Sequence, residues 1–260
     1  MTFIDSHAHI NAEDFQDDRD QVIQRAFQNG IKAILCPAEI TEPENLHSAL
    51  ELNRNYPNII SAAGIHPHNA KRFAPEISET LTQLSDDKKI YAIGEIGLDF
   101  HYNFSSPEEQ IKVFRYQLNI AQDLGLPVVI HSRKAADEIL MAVQEEGFIN
   151  GGVLHCFTEN WEFAKQMLDR DFFISFSGIL TYPSAQLLRE VAKKLPLEKT
   201  LIETDSPYLV PAPYRGRIKR NEPAYVKEVA KTLADIKQLD LGEIAQVTSH
   251  NFSSLFPFEI

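Results

Sequence analysis

Six residues able to ligate a metal ion or move a proton stand at matching places along this chain. His7 and His9 flank Ala8 in the first apolar run, Phe3 to Ile10. Glu95 follows Ala92-Ile93-Gly94, His131 ends Val128-Val129-Ile130, His155 ends Gly152-Val153-Leu154, and Asp205 ends Leu201-Ile202-Glu203-Thr204. In extended chain, side chains at i and i+2 share a face, so the imidazoles of His7 and His9 project together. Neutral imidazole is a common ligand for zinc, iron, copper or nickel. A His-X-His pair alone more often marks two histidines on a surface strand, and the other four residues give this pair its meaning. Four imidazoles and two carboxylates exceed the needs of one tetrahedral ion. They suit a two-metal site with a bridging carboxylate and open positions for water. Two close ions polarise a phosphoryl or carbonyl oxygen, make hydroxide available near neutral pH and hold the leaving oxygen. Asp205 then has two roles, as a metal ligand and as acceptor of the proton from the nucleophilic water.

These residues need elements that bring them to one place. Short β-branched runs alternate with longer amphipathic segments: Phe3 to Ile10, Ala33 to Cys36, Ile60 to Ile65, Tyr91 to Leu98, Pro127 to His131, Gly152 to Phe157, Phe172 to Phe176 and Thr200 to Asp205. Each suits a buried parallel strand. Helix punctuation fills the intervals. Ser106-Pro107-Glu108-Glu109 is a capping box with proline at the first helical position, and Gly125 followed by Pro127 stops that helix. Gly30 and Gly147 occupy similar places after helical patterns. Strand then helix, eight times over, reads as a (β/α)8 TIM barrel, with a doubly wound sheet as the alternative. The polar residues favour the barrel. Its strand ends converge on one face, whereas an open sheet would spread them too far apart to share an ion.

A chain of 260 residues suits a single domain, 1–260. Its net charge of -12 argues against nonspecific coating of duplex, which rests on lysine and arginine meeting phosphates. Metal ions and a local basic patch can still supply positive field. The densest patch is Arg215-Gly216-Arg217-Ile218-Lys219-Arg220, which also fits a solvated loop. Cys36 and Cys156 are expected to be buried thiols rather than a disulfide, with Cys156 turned away from the mouth by strand alternation. No apolar run is long enough to span a bilayer and the N-terminus has no signal-like segment, so a cytoplasmic enzyme without membrane or obligate protein partner is expected.

At these residues the chain resembles the TatD family of metal-dependent deoxyribonucleases, within the amidohydrolase-like barrels. The likeness runs through Asp5-Ser6-His7-Ala8-His9, Gly64-Ile65-His66-Pro67, Gly94-Glu95-Ile96-Gly97-Leu98-Asp99, Pro127-Val128-Val129-Ile130-His131, His155-Cys156-Phe157 and Glu203-Thr204-Asp205-Ser206-Pro207-Tyr208-Leu209. It ends with Arg215-Gly216 and Asn221-Glu222-Pro223, between which Ile218-Lys219 looks like a small insertion. The resemblance implies a barrel binding two divalent ions (zinc, magnesium or manganese), one held by His7, His9 and Asp205 and the other by His131 and His155. Glu95 lies between them. Related families bridge with a carbamylated lysine on the fourth strand; here Lys88 and Lys89 precede that strand, which leaves Glu95 as the bridge.

His66, at the third strand's end, serves either substrate phosphate or a hydrogen bond behind the ligands. Arg133 shares the face of His131 and meets either phosphate or a surface carboxylate. Arg215 and Arg217 are expected to position phosphate, Asp99 to orient a ligand, and His68, His101 and His47 to lie on loops or surface. Asn251 reads as a cap or structural contact. Trp161 could stack a base but more simply packs helix on sheet. The leading expectation is a deoxyribonuclease acting on single-stranded DNA, with a 3'-5' exonuclease mode taken from the family. The rivals are an amide or ester hydrolase, including aminoacyl-tRNA deacylation, and a non-catalytic nucleic-acid-binding protein with a vestigial metal site.

Overall fold

The structure, a computed structural model, describes residues 1–102 and 104–258. Eight parallel strands, β1 (Phe3–Asp5), β2 (Ile31–Glu39), β3 (Ile59–Gly64), β4 (Ala92–Asp99), β5 (Val128–Arg133), β6 (Gly152–Leu154), β7 (Phe172–Phe176) and β8 (Thr200–Ile202), pair in sequence order. Helices lie between them: α1 (Arg19–Gln28), α2 (Pro43–Asn55), α3 (Ile77–Asp86), α4 (Pro107–Leu124), α5 (Ala136–Glu145), α6 (Trp161–Leu168) and α7 (Gln186–Lys194). After β8 come α8 (Val226–Lys237) and α9 (Leu241–Leu255). The ring closes through backbone bonds just beyond β1 and β8. Ser6 N–H donates to Ile202 (3.0 Å), Asp205 N–H to His7 (2.9 Å) and His9 N–H to Ser206 (2.8 Å). Sequential order with closure is the TIM barrel and excludes the doubly wound sheet.

Two apolar layers follow from strand alternation. Ile4, Leu35, Ile60, Ala92, Val129, Val153, Phe173 and Leu201 point inward and pack with Phe252 and Phe256 of α9. Helix α9 therefore plugs the N-terminal end of the barrel. Asn251 pins it there, donating to the carbonyls of Leu197 and Thr200 at 2.8 Å each. Ile93, Ile96, Val128 and Ile130 point outward against the helices. The capping box forms on α4 as its sequence dictates, with Glu109 N–H donating to Ser106 Oγ and Ser106 N–H to Glu109 Oε2. Gly125 ends the helix in the left-handed region at φ +67°.

Several expected strands stop early. β1 ends at Asp5, β6 at Leu154 and β8 at Ile202, so His7, His9, His155 and Asp205 stand on the segments just beyond strand ends. β2 instead runs on to Glu39. Extended geometry still persists past β1, because Ala8 bridges to Ser206 in parallel fashion, and His7 and His9 remain on one side.

The decisive irregularity is in β4. Its register against β5 passes from Ile93↔Val128 to Ile96↔Ile130, so three residues advance on β4 while two advance on β5. Strict alternation would send Glu95 outward with Ile93. The bulge reverses the phase and turns it into the barrel. Downstream, Gly97 (φ +133°) lets β4 pass close to β5: a Cβ there would lie 2.1 Å from the His131 carbonyl oxygen. Gly97→Ala is expected to destabilise the fold by about 3 kcal/mol, at the upper end of ordinary overpacking. A melting temperature equal to wild type would show that β4 has room to move.

Candidate metal centre

Glu95 is the hub of the mouth. One oxygen, Oε2, lies 3.3 Å from His7 Nε2 and 3.7 Å from His9 Nε2. The other, Oε1, lies 2.8 Å from His155 Nε2, 3.0 Å from His131 Nδ1 and 3.3 Å from His66 Nε2. Asp205 Oδ1 joins the first group, 3.4 Å from His9 Nε2 and 3.9 Å from His7 Nε2. The carboxylate thus separates two nests of imidazole nitrogen, one on each oxygen.

Within the nests the nitrogens face one another, His7 and His9 at 3.2 Å and His131 and His155 at 3.3 Å. Two nitrogen lone pairs repel at that range unless a proton or a cation lies between. Nitrogens bound tetrahedrally at 2.0–2.1 Å to one zinc-sized ion would stand about 3.3 Å apart. Sets of three donor atoms, His7–His9–Glu95, His7–His155–Asp205 and His66–Glu95–His131, each fall within 4.8 Å of one another. The donor chemistry and spacing fit divalent cations.

Neighbouring side chains fix the donors. Asp99 Oδ2 lies 3.2 Å from His131 Nε2 and 2.9 Å from His68 Nε2, so the far nitrogen of His131 faces a carboxylate, as expected for an oriented ligand. Glu203 Oε1 accepts from the Cys156 N–H at 2.7 Å and lies 3.4 Å from His155 Nδ1, a contact too poorly aligned to be a hydrogen bond. Asp5 accepts from Thr204 N–H (2.8 Å) and Oγ1 (2.5 Å) and, at 3.4 Å, from His7 N–H. One buried carboxylate thereby ties the end of β1 to the segment carrying Asp205. Asp205 itself is in the left-handed region at φ +53°, a strained setting for a residue other than glycine. Glu39 accepts from the His66 N–H at 2.9 Å and sets where that histidine starts its turn.

The electrostatics follow from burial and this pairing. Burial pushes the Glu95 carboxyl up, but the surrounding His155 and His66, with hydrogen bonds from His131 and His155, hold it well below the ordinary carboxylate range. Asp205 is likewise held low against burial, by His9 above all. Burial opposes charge on His155, His131 and His9, yet the facing carboxylates raise all three, His155 most. Burial lowers His7, and takes His66 down to about 4. Without metal, protons on the raised imidazoles balance the two carboxylates. Loading a divalent cation must displace them, so affinity is expected to strengthen as pH rises through the raised imidazole values and to weaken as it falls. Calorimetric titration with zinc or manganese in buffers of different ionisation enthalpy should show net proton release near neutral pH. Equal heats in all buffers would contradict this picture.

A cavity of about 810 Å³ opens over the site. His9, His66, Glu95, His131, Arg133, His155 and Asp205 line it, and His7 lies completely buried beneath. Arg215 and Arg217 are exposed on their loop outside the lining, with the Arg215 guanidinium 4.2 Å from the Tyr182 ring centre. Arg220 is a structural residue, paired with Asp18 through two 2.8 Å bonds and with Glu222. Asn221 donates to the Thr204 carbonyl at 2.9 Å, so that block of the sequence braces the Asp205 segment. Trp161 packs against the strand–helix core and is not among the lining residues.

Two expectations need correction. His68 is no surface loop residue: it lines the cavity, bonded to Asp99. Cys156 is not turned away. It follows the end of β6 at φ +45°, where alternation no longer applies, and reaches the cavity wall with Sγ 3.3 Å from Ser177 Oγ. Both cysteines are free thiols, as expected. Asp5, Glu39 and Glu203 have functions at the site that the sequence alone does not reveal. The available signal was a carboxylate ending an otherwise apolar run.

This geometry has known counterparts. A sequence profile of the family described as TatD related DNase matches residues 4–257. The chain belongs to the TatD family. It is 39% identical over 253 residues to the uncharacterized metal-dependent hydrolase YabD of Bacillus subtilis, covering 97% of this chain and 98% of that protein. It is 36% identical over 256 residues to the 3'-5' ssDNA/RNA exonuclease TatD of Salmonella typhimurium, with 97% and 98% covered. Among solved structures, the TatD homolog YJJV of Escherichia coli superposes with a TM-score of 0.91 at 32% identity, over 99% of this chain and 98% of that one. As a TatD-family barrel the chain shares 97–99% of its length with these relatives. No helix among the described residues is long and apolar enough to cross a membrane.

Proposed function

We propose that this TatD-family protein, acting as a single hydrolase domain over 1–260, is a metal-dependent nuclease that cleaves phosphodiester bonds of single-stranded DNA from the 3' end. The observation that carries the reading is Glu95, whose two oxygens each face a separate nest of imidazoles. His7, His9 and Asp205 would hold one divalent ion, His131 and His155 the other, and Glu95 would bridge them. Bound there, such ions supply Lewis acidity toward a phosphoryl oxygen and a source of hydroxide near neutral pH.

The chain's own residues do the rest. Asp205 is ionised at neutral pH and its carboxylate stands at the cavity floor, so it can take the proton of the attacking water. His66 is neutral there and half-buried beside Glu95 Oε1, where it can donate one hydrogen bond to a phosphate oxygen. Arg133 is the one lysine or arginine among the lining residues, against five carboxylates. Bound metal ions would therefore supply most of the charge neutralisation of a phosphodiester, with Arg133 at the rim and Arg215 and Arg217 reaching the strand farther out.

The test is reconstitution. Metal-free protein receives magnesium, manganese, zinc or cobalt, and end-labelled single-stranded DNA is followed beside RNA and a panel of esters and amides. Metal-restored trimming of DNA from its 3' end is expected. Failure to cleave DNA with any ion, or restored turnover only on esters or amides, would overturn the nuclease reading.

A further inference from the structure

Three large aromatic side chains are substantially exposed among the described residues, Tyr102 (42%), Phe104 (56%) and Tyr208 (57%); Tyr102 and Tyr208 line the cavity, and Phe104 packs against Tyr102 and His68 of that lining. Scattered exposed apolar residues are ordinary, but aromatic exposure gathered at one mouth is not. The Tyr102 and Phe104 rings stack at 5.6 Å with an interplanar angle of 25°. His68 meets both edge-on, at 5.8 Å and 4.8 Å between ring centres. Asp99 holds His68 in turn, and the same carboxylate oxygen faces His131. The Arg133 guanidinium sits 4.7 Å from the Tyr102 ring centre. The pair is thus an apolar shelf one side chain out from the metal nest, beside Arg133, the only arginine among the described residues that line the cavity. Tyr208 stands after β8, four strands round the ring from β4, with its ring 5.9 Å from that of His9.

We propose that Tyr102 and Phe104 form a stacking shelf for a nucleobase flanking the scissile phosphodiester, with Arg133 taking the adjoining phosphate. This rests on the nuclease reading and specifies how that site takes a single strand. Every base has a π-face, so stacking grips single-stranded nucleic acid without reading its sequence. A paired base keeps its face inside the duplex, so the shelf also selects unpaired ends. Arg133 supplies charge where the surrounding wall is acidic, and a planar aromatic next to a guanidinium matches the alternation of base and phosphate along a strand.

Steady-state kinetics of the metal-loaded enzyme test it, using single-stranded oligonucleotides with natural or abasic nucleotides at the cleaved end. Tyr102→Ala/Phe104→Ala is expected to raise KM on the natural strand by about ten-fold, a typical loss for one stacked base, and to raise it more than kcat falls. On the abasic strand wild-type enzyme should show a similar rise and the variant no further one. Tyr102→Phe should keep the wild-type KM. Phe104→Ala alone gives the same comparison should the double variant fold poorly. An unchanged KM on natural strands, or a variant effect just as large on abasic ones, overturns the shelf while leaving the nuclease reading standing. Absence of DNA cleavage by wild-type enzyme overturns both.

Discussion

Asp205→Asn is expected to lower kcat on single-stranded DNA by about 10²–10⁴-fold, the range that a positioned proton acceptor contributes. The substitution keeps size and one acceptor oxygen while removing the ability to take a proton. Asp205 is singled out by three structural facts. Its carboxyl is held ionised by His9. Its backbone is locked by a 2.9 Å bond to His7 and a left-handed φ. Beside it, Thr204 is clamped by the buried Asp5. The fold should survive, because those backbone contacts persist in the variant. Circular dichroism and thermal melting beside the kinetics separate the two effects. Turnover comparable to wild type in a normally folded variant would remove Asp205 from the chemistry.

Glu95→Gln should act on the metal itself. An amide offers one acceptor oxygen and turns an NH2 group toward the opposite nest, so it cannot serve both. It also removes the charge that chiefly raises His155 and that, after Asp99, helps raise His131. Losing a group merely behind a ligand commonly costs about 10–100-fold in metal affinity, and loss of the bridge should cost at least that. Elemental analysis after gel filtration is expected to fall from two ions per chain to one or none, with DNA cleavage lost in parallel. Two tightly held ions in this variant would show that Glu95 is not the bridge.

Much of this was legible in the sequence because the relevant signals are local. The capping box at Ser106 and the stop at Gly125 are set by neighbouring residues, and the alternation of apolar runs carries the strand count, while the polar residues at matching strand ends favour the ring over an open sheet. His131 and Arg133 fall on the inward face as simple alternation requires. Glu95 does not. It reaches the site through a bulge whose phase change depends on pairing with β5, which no run of residues in β4 announces. The place of His68 is hidden in the sequence for a related reason: its partner Asp99 lies 31 residues away, at the end of β4. Cys156 departs from strand alternation because β6 ends two residues before it, at Leu154. The arginines divide similarly. Arg220 looks like part of a basic patch in sequence, yet its charge is spent on Asp18, 202 positions earlier.

Anomalous diffraction from crystals loaded with zinc or manganese tests the two-ion centre most directly. Two peaks are expected about 3.5–4 Å apart, the usual separation in paired hydrolytic sites, on opposite sides of Glu95. One should sit against His7, His9 and Asp205, the other against His131 and His155. A single peak at saturating metal, or a pair not spanned by Glu95, would contradict the bridged two-ion centre.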